Sequence, residues 1–258
     1  MLQLFIYDLF ITSKINKITL AVAVLFCWVV NGAAQEEIIN ASEMTYKEPS
    51  DKVSMITFGL GGMTPQGAFS RKHPDLIFQI NLGYLRQIKP EKPLFGGIEL
   101  GYGIMDQYTA DIDFVVEGET ETWEVISTSQ FLTFELIGRY YLPLKINKLE
   151  FFSEFNFGGN LFFTTTTFTP PDADDSSDTE WEKSDFSMKY GIGLGCNFPV
   201  SDNIYVHGRF SYIAGLSTAY YTLKPETITL QDSTIEAFDL QKSTTDVLKW
   251  DLGVTFAF

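Results

Sequence analysis

Hydrophobic and polar residues alternate along the last ten residues of the chain, 249–258. One parity holds Trp250, Leu252, Val254, Phe256 and Phe258. The intervening positions are small, polar or charged. Because successive side chains of a β-strand point to opposite faces, this pattern predicts a strand with one apolar and one polar face.

The same alternation recurs upstream and predicts eight strands in all. They cover residues 53–61, 76–85, 94–104, 131–142, 151–163, 186–198, 204–212 and 246–258. Most segments are close to the length that crosses a bilayer when a strand is tilted. The repetition predicts an all-β fold, an antiparallel up-and-down transmembrane β-barrel. A soluble β-sandwich or lipocalin-like barrel is the alternative, since a half-buried soluble sheet alternates in the same way.

Short and long connections alternate along the predicted strands. The links after strands two, four and six are short and carry turn residues, among them Pro90, Pro143 and Pro199. The other connections are long and polar, as in barrels with short periplasmic turns and long outer loops. Two loop pieces, 111–116 and 227–230, look strand-like. They predict either hairpins beyond the membrane or a barrel of ten strands instead of eight.

The N-terminal segment predicts export. Lys14 and Lys17 precede an apolar run, 18–30, and small residues follow it up to Ala34. This order is typical of a secretory signal peptide. We therefore expect a signal peptide over 1–34, a periplasmic lead-in over 35–52 and a barrel domain over 53–258.

The composition argues against several classes of partner and site. The net charge is −15, which argues against nucleic acid as a partner. Two cysteines provide neither a disulfide framework nor a cysteine zinc cluster. A lipid-facing wall with aromatic girdles accounts for the 23 Phe and 12 Tyr.

The alternating C-terminal strand that ends on Phe258 resembles the last strand of bacterial outer-membrane β-barrels. Over 53–258 the chain resembles the small outer-membrane β-barrel proteins of the Bacteroidota type, the PorT-like group, and more loosely the OmpA and OmpX barrels. The resemblance implies an outer-membrane location, with lipid as a partner. It also implies that the five residues of the apolar parity of 249–258 form the signal read by the outer-membrane assembly machinery. For the PorT-like group it implies other envelope proteins as partners in a secretion apparatus.

Charged residues fall on the inward parity of the predicted strands. They are Glu99, Glu135, Arg139, Glu154, Lys189, His207, Arg209, Lys249 and Asp251. An eight-stranded barrel has an interior that side chains just fill, and buried charges must be paired. We therefore expect a salt-bridge plug, and the alternative is a narrow ion path.

Catalytic and metal-binding patterns are weak in this sequence. His207 lacks the serine two positions on that a lipid-A deacylase carries on one strand. His73 and Asp75 form half of a protease-like site in the first outer loop, where we expect a solvated histidine. The acidic run 172–178 lacks the glycine and the spaced glutamate of an EF-hand loop. We expect no catalytic residue, no cofactor and no metal.

Trp123 and Trp181 are predicted to lie at the bases of outer loops, at the membrane interface. The predicted function is a non-enzymatic outer-membrane protein, structural or binding, with acidic outer loops. The alternatives are a PorT-like component of a secretion apparatus and a narrow passive channel.

Overall fold

The computed structural model describes residues 53–89, 92–116, 119–146, 148–171, 177–224 and 234–258. The predicted signal peptide, the lead-in and the loop piece 227–230 lie outside the described residues. The described strands are β1 (Ser54–Pro65), β2 (Ile77–Gln87), β3 (Leu94–Val116), β4 (Glu119–Ile146), β5 (Leu149–Thr169), β6 (Asp178–Pro199), β7 (Ile204–Gly215), β8 (Thr218–Leu223), β9 (Phe238–Ser243) and β10 (Val247–Ala257). A four-residue helix, α1 (Gly67–Ser70), and a 3₁₀ turn, Thr234–Ala237, complete the elements. In this part of the chain no helix has the length and apolar character needed to cross a membrane.

Within the described residues, eight strands close an antiparallel barrel in the order β1-β10-β7-β6-β5-β4-β3-β2. The first and last strands seal it, with Met55 opposite Ala257 and Gly61 opposite Asp251. β8 and β9 pair only with each other and form a separate two-stranded sheet. The prediction of an eight-stranded up-and-down barrel is therefore confirmed.

Strand alternation creates two different faces on the barrel wall. In β2 buried and exposed residues alternate from Ile77 to Arg86. Every barrel strand has apolar side chains that point outward. On each strand at least one of them is 46–68% exposed. These examples are Phe58, Phe78, Leu100, Phe134, Phe155, Ile192, Phe210 and Phe256.

Four strands continue far beyond the other four at one end of the barrel. β3 pairs with β2 only as far as Ile104, and β6 pairs with β7 only from Lys189. The continuations, residues 106–116, 119–129, 164–169 and 178–187, pair with one another and form what we term the outer sheet. We call this end of the barrel the outer end and the opposite end, which carries the short turns, the inner end.

The loop piece 111–116 belongs to the outer sheet, because it extends β3 as one arm of a hairpin with β4. Of the two possibilities for this piece, the hairpin is therefore correct. A β-bulge between Ile104 and Asp106 marks the point where the extension begins. Trp123 lies opposite Ile112 near the tip of this arm, so its predicted position at a loop base is wrong.

The β8–β9 hairpin lies across the outer mouth of the barrel. Four polar side chains of β3, β4 and β6 hold the backbone of β8 and of the short connection that leads into it from β7. The bonds run from Leu223 N to Asp106 Oδ2 (3.1 Å), from Ala219 N to Asp185 Oδ2 (2.8 Å), from Ser129 Oγ to Tyr221 O (2.7 Å) and from Ser187 Oγ to Leu216 O (2.7 Å). Tyr220 points into the mouth, and burial raises the pKa of its hydroxyl, which stays neutral there.

The barrel interior is apolar at both ends. An outer apolar layer beneath the hairpin comprises Met63, Phe69, Ile77, Met105, Phe131, Phe162, Ile213, Tyr220 and Val247. An inner apolar layer comprises Met55, Leu85, Phe95, Ile137 and Ala257, with Tyr141 and Tyr205 packed against it. The polar part of the interior therefore lies between two layers that contain no charged side chain.

Glycines on the inner face leave room for large polar side chains. A Cβ atom on Gly59 would overlap the carboxylate of Asp251. Gly138, in contrast, lies on the outward parity of β4 and has no atom within 4 Å of the position where a Cβ would lie. These two positions make a matched pair for testing how tightly the interior is packed.

We expect Gly59→Ala to destabilise the folded barrel and Gly138→Ala to leave it almost unchanged. Overpacking a well-filled interior typically costs about 1–3 kcal/mol. The measurement is the temperature at which the barrel, folded in detergent, unfolds when followed by far-UV circular dichroism. Equal unfolding temperatures for the two variants would show that the interior has spare volume beside Asp251.

Candidate functional site

The strands bring the nine predicted inward-facing residues together in one layer of the barrel. All nine are buried, and the most exposed of them, Arg209, is 8% exposed. They come from β3, β4, β5, β6, β7 and β10. We call this set, together with the polar groups bonded to it, the ionic network.

Arg209 is the central cation of the ionic network. Its Nη1 lies 2.7 Å from Glu99 Oε2 and 3.5 Å from Glu154 Oε2, and its Nη2 lies 3.3 Å from Asp251 Oδ1. One guanidinium therefore contacts carboxylates from three strands. A planar group with five N–H donors suits this role, because each contact uses a different direction of the same fork.

Arg139 extends the network toward the inner end. Its Nε donates to Glu154 Oε1 at 2.7 Å, and its guanidinium carbon lies 4.1 Å from the centre of the Phe152 ring. The pair is flanked by Tyr141, whose hydroxyl receives hydrogen bonds from Arg139 Nη1 (3.4 Å) and Asn197 Nδ2 (2.8 Å). Arg139 is thereby paired, hydrogen-bonded and stacked at once.

Two lysines complete the network toward the outer end. Lys249 Nζ lies 2.8 Å from Glu99 Oε1 and 3.3 Å from Glu135 Oε1. Lys189 Nζ lies 2.6 Å from the same Glu135 oxygen. Since Glu99 contacts both Arg209 and Lys249, the arginine and lysine parts form one continuous chain of contacts.

Asp251 joins the ion pairs to neutral polar groups. His207 Nε2 lies 2.9 Å from Asp251 Oδ1, and its Nδ1 lies 2.9 Å from Thr255 Oγ1. Asn81 Nδ2 donates to Asp251 Oδ2 at 2.6 Å, and Asn81 Oδ1 accepts a bond from Gln79 Nε2 at 2.9 Å. The Thr255–His207–Asp251 series has the order of a nucleophile, a base and an acid. It is sealed in the wall, however, since each of the three is at most 1% exposed.

The charges of the nine residues balance. Four carboxylates (Glu99, Glu135, Glu154, Asp251) face four permanent cations (Arg139, Lys189, Arg209, Lys249), and His207 is the ninth member. A buried charge is tolerated when it is paired and hydrogen-bonded. The network therefore fills the centre of the barrel without a net charge when His207 is neutral.

Sequence reasoning assigned no role to Tyr141 and Phe152, although both contact Arg139. The strand parity could have placed Tyr141 inside the barrel, because Tyr141 shares the parity of Arg139 two positions earlier in β4. Phe152 shares the parity of Glu154 in the same way. Both were missed because inward aromatic residues interrupt the polar pattern at the strand ends.

His73 differs from its predicted state. It was expected to be solvated, but it is 2% exposed and its Nδ1 lies 3.3 Å from Asp106 Oδ2. Its ring stacks on Phe69 at a centroid distance of 6.1 Å. The partner of His73 is a carboxylate of β3 and not the neighbouring Asp75. The contact therefore links the first outer connection to β3 and does not form half of a protease-like site. In the described part of the chain, no three His, Cys, Asp or Glu side chains are grouped to hold a metal ion.

We expect Arg209→Met to destabilise the barrel strongly, because three buried carboxylates lose a shared partner. Removing one member of a buried pair typically costs roughly 3–5 kcal/mol. Arg86→Met is the matched control, since Arg86 is exposed at the end of β2 and should cost under about 0.5 kcal/mol. The measurement is equilibrium unfolding in urea of the barrel folded in lipid vesicles. A similar midpoint for both variants would contradict the role of Arg209.

We expect Lys189→Met to destabilise the barrel and a second change, Glu135→Gln, to restore part of the loss. The single variant leaves Glu135 with only the longer contact to Lys249, and the double variant removes the excess negative charge. The coupling between such contacting residues is typically about 0.5–3 kcal/mol. The same urea titration measures it, and strictly additive effects would show that the pair is not coupled.

No protein-family model and no curated protein matches this chain. Solved structures do show a likeness of architecture. A major outer membrane protein from Thermus thermophilus is 16% identical, with a TM-score of 0.43 over 80% of this chain and 99% of that one. The outer membrane protein OprG from Pseudomonas aeruginosa is 14% identical, with a TM-score of 0.39 over 83% and 98%. Ail, the attachment invasion locus protein of Yersinia pestis, is 15% identical, with a TM-score of 0.32 over 80% and 99%. The first two are outer membrane proteins, and likeness at this level transfers no activity to this chain.

Proposed function

We propose that this chain is a non-enzymatic outer-membrane protein of structural or binding type. In this proposal the barrel is an anchor, and the outer sheet and the β8–β9 hairpin are the parts presented outside the cell. The observation that carries the proposal is an apolar belt on the outside of a barrel whose inside is filled by the ionic network. A soluble protein has the opposite distribution, with its charges outside and its apolar residues within.

The apolar belt runs around the whole wall. Phe, Leu, Ile and Tyr side chains are exposed on every barrel strand, and several exceed half of their full accessibility. Monomeric soluble proteins rarely expose continuous apolar surface on this scale. Hydrocarbon outside a closed barrel satisfies the side chains, while the strand pairing satisfies the backbone.

The C-terminal strand fits export to this membrane. Trp250, Leu252, Val254, Phe256 and Phe258 share the outward parity of β10, and Phe256 and Phe258 are 46% and 61% exposed. We propose that these five residues contact lipid and form the signal that the outer-membrane assembly machinery reads. The segment 1–34 would be the cleaved signal peptide in this scheme.

The interior geometry argues against a channel. The nine charged residues contact one another across the lumen, and the two apolar layers lie above and below them. An ion on this route would have to separate buried pairs and cross both apolar layers. The same burial keeps substrates from His207 and Thr255, which supports a non-enzymatic role.

The first experiment is to produce the full chain in a Gram-negative bacterium and examine its outer-membrane fraction. We expect the chain there, with a gel mobility that shifts on boiling, because a closed barrel resists unfolding by detergent. Mass spectrometry of the same band tests cleavage near Ala34. A soluble chain with no shift on boiling would overturn the proposal in favour of a soluble β-barrel.

A second proposal is a role as a PorT-like component of a protein secretion apparatus, of the kind found in Bacteroidota. The outer sheet favours it, because four paired strands standing beyond the barrel offer a fixed surface to another envelope protein. The test is chemical cross-linking in native membranes, followed by purification of the chain. Recovery of the same envelope protein in repeated purifications is expected, and recovery of the chain alone would contradict this role.

A further inference from the structure

Near its tip, one face of the outer sheet combines aromatic rings with carboxylates. We call it the aromatic–acidic face, and its residues are Phe114, Glu121, Trp123, Phe168, Asp178 and Glu180. Strand register puts Glu121 directly opposite Phe114, Asp178 opposite Phe168 and Glu180 opposite Thr166. Directly opposed residues of paired strands lie on the same face of a sheet. The face is therefore defined by the register of the four strands.

The ring of Phe114 packs against the rings of both Trp123 and Phe168. Phe114 meets Trp123 at 5.7 Å and Phe168 at 6.2 Å between ring centroids, both edge to face. The indole Nε1 of Trp123 donates to Glu121 Oε2 at 3.0 Å. A carboxylate is thus held at the edge of a tryptophan ring, where charge and aromatic surface meet.

This face is partly open to solvent, unlike the part of the sheet nearer the barrel. Val125 and Ser127 are fully buried, and Ser127 bonds to Thr234 of the 3₁₀ turn at 2.6 Å. Farther out, Phe114, Trp123 and Phe168 are only partly buried, and Asp178 is exposed. Aromatic surface that is open to solvent and rimmed by polar residues is typical of a surface that contacts another molecule.

The outer sheet is strongly negative. In its described residues a single base, Lys183, accompanies ten acids. The acids are Asp106, Asp111, Asp113, Glu119, Glu121, Glu124, Asp178, Glu180, Glu182 and Asp185. Such a field attracts cationic partners and repels a second copy of the same sheet.

We propose that the aromatic–acidic face binds a basic segment of another polypeptide. An arginine or lysine side chain lies over the Trp123 ring and pairs with Glu121, while further basic residues contact Asp178 and Glu180. Cations bind favourably over tryptophan faces, and the arginine guanidinium both stacks on rings and pairs with carboxylates. This inference rests on the proposed function, in which the outer sheet faces the exterior.

The test uses the full chain, folded in detergent, and a fluorescein-labelled peptide of twelve residues in which arginine and serine alternate. A matched peptide carries citrulline, the uncharged analogue, in place of arginine. Fluorescence anisotropy gives the Kd at low salt and at physiological salt. We expect the arginine peptide to bind and the citrulline peptide to bind at least tenfold more weakly.

Two pairs of variants locate the site. Glu121→Gln, which keeps an acceptor for Trp123 but removes the charge, and Trp123→Leu should each raise the Kd tenfold or more. The controls are Asp75→Asn, an exposed acid of the first outer connection, and Trp181→Leu, a 66% exposed tryptophan stacked on Phe163. Both controls should change the Kd less than twofold.

Three outcomes would overturn the inference: no binding, equal weakening by all four variants, or self-association of the chain that the peptide does not disrupt. Equal weakening would indicate diffuse attraction by the whole acidic surface. The shift on boiling is recorded for every variant. A chain that shifts but does not bind refutes this inference alone, whereas a chain that does not shift refutes the proposed function.

Discussion

The rest of the barrel interior depends on the ion pairs that Arg209 makes in its centre. It contacts Glu99, Glu154 and Asp251, and through them Arg139, Lys249 and His207. Lys189 joins one step farther out, because Glu135 contacts both Lys189 and Lys249. An eight-stranded barrel encloses too little volume for water to solvate so many charges. Neutrality must therefore come from the side chains themselves. This constraint explains the equal numbers of carboxylates and permanent cations, and it explains why a glycine stands beside Asp251.

The two apolar layers give the ionic network its environment. They separate the charges from water at both ends, which strengthens each contact and also raises the cost of any charge left unpaired. Such a network stabilises the fold only when each charge has its partners, because a charge that loses one partner also weakens the contacts of its neighbours. A connected set of buried polar contacts favours one arrangement of the interior side chains, which agrees with the proposed role of the barrel as an anchor.

The barrel was predictable from sequence because a strict period of two is a local property of the chain. The parity of each strand also identified all nine charged residues that lie in the centre. Their pairing was not predictable, since Lys249 and Glu99 are 150 positions apart and meet only through the register of the closed sheet. The outer sheet was largely missed for a different reason. Its strands are polar on both faces over many positions, so hydrophobic alternation, the signal that reveals a strand, is absent there. His73 was misjudged because its partner, Asp106, sits at a bulge that the sequence pattern does not show.

The outer sheet inherits its geometry from the barrel. β3, β4, β5 and β6 run from the apolar belt into the outer sheet, interrupted only by local bulges. Strand pairing in the barrel wall therefore fixes the positions of Phe114, Trp123 and Phe168 beyond it. A surface held in this way loses little conformational entropy when a partner binds. The smaller entropy loss makes binding tighter. Loops of the same composition would have to be ordered first. Under the proposed function, the filled interior and the long strands together form an anchor that presents a preformed acidic surface at a fixed distance from the membrane.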